Sequence, residues 1–128
     1  MRQTAYDKTL FLVAALFNLS TATILLFRPD IVLARLGITD SAAKLLARSL
    51  ASSVTAWGVA YALVVVNPLR FREFVRLGVF SKMLFFVIYA VAFFSGQISL
   101  PAFAPAIFDL VLAILFLEYW WRTKPSLS

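Results

Sequence analysis

The 128-residue chain contains no cysteine and no histidine. Without thiols there is no disulfide framework, no thiol nucleophile and no Cys-ligated zinc; without imidazole the usual general base and haem ligand are missing too. Charge is also scarce, at 14% of residues, where a soluble domain carries about 25%. What remains is 62% hydrophobic, more apolar surface than a soluble chain this short could hide. These proportions predict one membrane domain, residues 1–128, with no metal site and no cofactor. The net charge of +6 would suit nucleic acid, but the twelve Lys and Arg flank apolar runs instead of lying on an aromatic-interleaved polar surface. No nucleic-acid partner is expected.

Four apolar stretches, Thr9 to Phe27, Ser49 to Val66, Leu77 to Ser95 and Phe103 to Trp121, each approach the roughly 20 residues a helix needs to cross a bilayer. None alternates strictly as a barrel strand would, so helices are required to pair the backbone within lipid. The expected fold is all-α, an integral membrane four-helix bundle. Arg2, Lys8 and the small residues Ser20 to Ala22 give the first stretch some look of a secretory signal, but the apolar run continues through Phe27 to spanning length.

Between the first two spans, Pro29 ends one helix and Asp30 caps a short interfacial helix that closes at Gly37. Asp40 is a candidate N-cap for the second long helix, starting near Ser41, and Asn67 with Pro68 reads as cap and first residue of the third. Eight basic residues, Arg2, Lys8, Arg70, Arg72, Arg76, Lys82, Arg122 and Lys124, fall on one side of this threading, and four, Arg28, Arg35, Lys44 and Arg48, on the other. The positive-inside bias then places both termini in the cytoplasm and the chain in an inner membrane. Tyr119, Trp120 and Trp121 form an interfacial belt, and Glu118 precedes Arg122 by one turn in the favourable acid-first order.

One carboxylate, Asp109, lies inside the last span. A central Asp costs about 2.5–3.5 kcal/mol, which a dozen Leu, Ile, Val and Phe at about −0.3 to −0.6 each outweigh. Asp109 shares a helix face with Ala106 and Ala113, so it is expected to look into the bundle, where small residues let helices approach. On the second long helix Ala47, Arg48, Ala51, Thr55, Gly58 and Ala62 share a face, and the depth of Arg48 resembles that of Asp109. The sequence therefore predicts that Arg48 and Asp109 pair through two hydrogen bonds. Asn18, Thr21, Ser52, Thr55 and Tyr89 reach the same level, which together suggests an outward-facing polar pocket; the alternative for the hydroxyls is bonding to their own backbone. Lys82 lies on the face of the third span that carries Gly78 and Tyr89. Its first reading is snorkelling to the cytoplasm, and its second a further buried charge.

The stretches "ARSLASSVTAWG" (47–58), "NPLRFREFVRLGVFSK" (67–82) and "FDLVLAILFLEYWW" (108–121) together resemble small bacterial inner-membrane proteins of the DoxX-like, four-helix kind. That resemblance implies a protein without assigned chemistry, in some cases a subunit or accessory of a redox complex. Three functions are open. The first is a non-catalytic membrane protein whose outer pocket binds a lipid, a small amphiphile or a membrane partner subunit. The second is a small homo-oligomeric transporter or channel. The third is an intramembrane enzyme using Asp109, which ranks last because no second carboxylate or His accompanies it; no catalytic residue is assigned.

Overall fold

The computed structural model describes residues 3–124, so Arg2 of the basic count lies outside the described residues. It contains α1 (Ala5–Phe27), α2 (Pro29–Arg35), α3 (Ala43–Val66), α4 (Arg72–Phe94) and α5 (Leu100–Arg122). The four long helices have 23 or 24 residues, about 35 Å at 1.5 Å per residue, enough to cross a hydrocarbon layer of about 30 Å. The chain is an all-helical, multi-pass membrane protein. Each long helix starts before its apolar run, because polar residues at a helix end sit beyond the hydrocarbon and cost nothing there.

The helix ends follow local chemistry. At the start of α1, Thr4 Oγ1 accepts from the Asp7 N–H and Asp7 Oδ2 accepts from the Thr4 N–H, both at 3.1 Å, a reciprocal cap. Pro29 opens α2, where its missing N–H is no loss. Gly37 closes that short helix at φ +72°, which lets the Ile38 N–H reach the Leu33 carbonyl at 2.9 Å. Gly96 ends α4 in the same way, with the Gln97 N–H on the Ala92 carbonyl at 2.8 Å. Asp40 accepts from the Ala42 N–H at 2.9 Å, but it shapes a turn, and α3 begins at Ala43 instead of Ser41. Asn67 likewise caps a turn through the Arg70 N–H at 3.1 Å, and α4 begins at Arg72, later than Pro68.

The long helices follow the order α1, α3, α4, α5 around the bundle, with α1 packed along α3 and α4 along α5. Small residues make the first of these approaches close: a Cβ added at Gly58 would stand 2.8 Å from Leu19 Cγ. The two helix pairs meet through rings. Phe11 stacks on Phe116 at a centroid distance of 4.9 Å and meets the edge of Tyr119 at 4.8 Å, while Tyr61 meets Phe116 at 5.1 Å. Such pairs contribute about 0.5–1.5 kcal/mol each beyond area burial, and in lipid packing of this kind replaces the hydrophobic drive. Gly78 admits the Tyr61 ring, since a Cβ there would lie 2.9 Å from Tyr61 Cε1. Pro105 sits inside α5, where it withholds the hydrogen bond that the Pro101 carbonyl would otherwise accept.

Candidate functional site

Lys82 and Asp109 are the ionisable Asp, Glu, Lys or Arg residues farthest from the ends of the long helices. Lys82 follows Val75 and Gly78 on the buried face of α4, and Asp109 follows Ala106 on the buried face of α5. Because these two helices are packed neighbours running in opposite directions, both side chains arrive near mid-depth. Lys82 Nζ donates to Asp109 Oδ1 at 2.7 Å.

Rings from three helices surround the ammonium. Nζ lies 5.2 Å from the Tyr61 centroid on α3, 5.9 Å from Phe17 on α1 and 6.0 Å from Phe116 on α5, within the range at which a ring face attracts a cation. The two ends of the pair are unequally enclosed, with side-chain exposures of 5% for Lys82 and 13% for Asp109. Asp109 Oδ2 accepts no hydrogen bond from a described residue, and it is not among the fully buried atoms that lack a partner, so it opens to the surface of the bundle. The site thus combines a fully caged cation with a carboxylate that keeps one oxygen open.

The predicted partner of Asp109 is overturned. Arg48 is exposed and its Nε donates to the Leu26 carbonyl at 3.1 Å. That carbonyl belongs to the last turn of α1, where unpaired acceptors and the helix dipole favour a cation. Helices α3 and α5 also stand diagonally across the bundle, so Arg48 and Asp109 do not share an interface. Snorkelling of Lys82 is overturned as well: ten residues separate it from Arg72, about 15 Å at 1.5 Å per residue, more than a four-carbon stem can span.

The other residues of the predicted pocket do not converge. Ser52 and Thr55 are exposed and bond the Ser49 and Ala51 carbonyls of their own helix, both at 2.7 Å. Asn18 is buried on α1 beside Gly58, Thr21 is half-buried, and Tyr89 stacks on Phe85 at 4.4 Å.

A second buried carboxylate escaped the sequence reading. Asp7 is fully buried and takes Arg122 of α5 on both oxygens, Nη2 on Oδ1 and Nη1 on Oδ2 at 3.4 Å, while Arg122 Nε also holds Glu118 at 2.8 Å. Beside it, Arg72 donates to the Trp120 carbonyl at 2.7 Å and to Thr123 Oγ1 at 2.8 Å, with its guanidinium 4.0 Å from a Trp120 ring centroid. The spacing Thr4-x-x-Asp7 was the available signal for the cap; nothing local marks Arg122 as its partner.

At the opposite end of the bundle, an open cleft of about 440 Å³ between α2 and the start of α3 is lined by Asp30, Leu33, Gly37, Thr39, Asp40 and Lys44. The hydrogen bond from Arg28, at 3.3 Å, holds the Asp30 carboxyl below the usual carboxylate range. Among the described residues no three acidic side chains gather to hold a metal ion.

No family model, curated protein or solved structure matches this chain.

Proposed function

We propose that this is a non-catalytic multi-pass protein of an inner membrane, with both termini in the cytoplasm, that binds a small amphiphile from within the bilayer at Asp109 and Lys82. The observation that carries this reading is the open Oδ2 of Asp109. A polar atom left without a partner inside a bilayer costs several kcal/mol by general transfer data. An exogenous group that supplies the missing contact recovers that free energy.

Two features favour binding over the alternatives. The rings of Phe11, Tyr61 and Phe116 fill the axis of the bundle, which suits a binding site better than a conducting path. Among the described residues, no second carboxylate or lysine pairs with Lys82 or Asp109, which favours binding over acid–base chemistry. The pattern-level likeness to DoxX-like proteins belongs to the same proposal.

Native mass spectrometry of the full chain, released from mild detergent, tests the reading. The expected result is an amphiphile retained by the wild type and lost from a Lys82→Ala, Asp109→Asn double variant that still unfolds cooperatively. A wild type that carries nothing, or a double variant that retains the same ligand, overturns it.

A further inference from the structure

Resting on the reading that Asp109 is a binding site, we infer that its ligand is a hydrophobic organic ammonium ion, which takes the position of the Lys82 ammonium and releases one proton. The cage around Nζ is a cation site in its own right. Three ring faces, contributed by α1, α3 and α5, stand 5.2 to 6.0 Å from the charge, with one carboxylate at 2.7 Å as counter-ion. Ring quadrupoles and a single negative charge are what quaternary ammonium recognition requires. An ammonium with N–H donors would prefer a set of oxygen acceptors; here Nζ makes one hydrogen bond. Lys82 acts as an internal occupant, tethered by a flexible stem, of a site whose chemistry fits an untethered alkylammonium.

The geometry also separates entrance from anchor. Lys82 is the enclosed member of the pair, while Asp109 retains the exposed edge. A cation arriving through the bilayer meets the carboxylate before it meets the lysine. Gly78, one turn before Lys82, lets the Tyr61 ring lie against the α4 backbone, which keeps a ring face in the cage whether or not Nζ is there.

Charge balance sets the stoichiometry. Asp109 neutralises one cation, and among the described residues it is the one carboxylate that pairs with Lys82; the rings of Phe17, Tyr61 and Phe116 complete the cage. When the organic cation pairs with the Asp109 carboxylate, the Lys82 N–H bond breaks heterolytically. The nitrogen keeps the electron pair as a neutral amine and the proton leaves to solvent. One cation in and one proton out conserves charge.

The test uses the full chain in lipid nanodiscs and tetrapropylammonium as probe, followed by calorimetric titration in two buffers of different ionisation enthalpy. Saturable binding of one probe per chain is expected, with one proton released and a Kd that falls about tenfold per pH unit. Lys82→Ala should still bind one probe per chain, at least tenfold more tightly. The Lys82→Ala, Asp109→Asn double variant should not bind.

Binding by the wild type without proton release overturns the exchange, and undiminished binding by the double variant overturns the site. If the probe fails in every variant while an anionic amphiphile co-purifies and depends on Lys82, the ammonium assignment falls and the binding reading stands. If no amphiphile of either charge binds, both fall.

Discussion

Two aspartates in this bundle answer the problem of a carboxylate in an apolar protein in opposite ways. Asp7, near the end of α1, is fully buried, and both of its oxygens are taken by Arg122 and the Thr4 N–H. Asp109, near mid-depth, has one oxygen on Lys82 and the other open. Asp7 lies close enough to the aqueous boundary for its arginine to remain 40% exposed, and its complete shell offsets the desolvation that full burial imposes. Asp109 has a single ammonium as its ion-pair partner, with its side chain 13% exposed. A closed shell marks a structural clasp; the incomplete one, in the more expensive position, is the feature on which the proposed binding rests.

The largest effect expected from breaking this contrast is at the mid-depth pair. Lys82→Ala leaves Asp109 without compensation and should cost about 3–5 kcal/mol in reversible unfolding in detergent, whereas adding Asp109→Asn should restore most of the loss. Additive losses in that double-mutant cycle would show that the two side chains do not act as a pair. Next comes Asp7→Asn, which keeps the shape of the clasp and removes its charge. A loss of about 1–3 kcal/mol is expected, with no change in amphiphile retention by native mass spectrometry; lost retention would erase the distinction between clasp and site. Thr4→Ala removes the acceptor for the Asp7 N–H and should lower stability by about 1 kcal/mol, read as a shift in the thermal midpoint. Smallest is Arg48→Ala: its guanidinium serves one carbonyl at the end of α1 and should contribute no more than about 1 kcal/mol. A larger loss, or one coupled to Asp109, would restore the pairing of Arg48 with Asp109 that the structure contradicts.

The fold was legible because hydropathy is a property of single segments. Lengths, the short α2 and the glycine that closes it can all be read without knowing which helix lies next to which. Partnership cannot. Arg48 and Asp109 were matched by depth and by small-residue faces, yet depth is shared by every helix in the bundle, and it is the neighbour order that assigns Asp109 to Lys82. The face that Lys82 shares with Gly78 is visible in the sequence, but ten residues from the helix end its stem is too short to reach water, and that depth outweighs the general habit of lysines to snorkel. Asp7 is the opposite case: nothing in the residues around it signals burial, and only the return of α5 brings Arg122 over it.

Pro105 gives the site a mechanical aspect. The backbone bond it withholds lies in the turn immediately ahead of Asp109, so the first turns of α5 are joined to the rest of the helix by one link fewer than elsewhere. The missing link loosens only the opening turn of α5; Asp109 follows Pro105 on the same segment as Phe116 and Tyr119, so the carboxylate moves with the ring-packed half of the helix and not with its start.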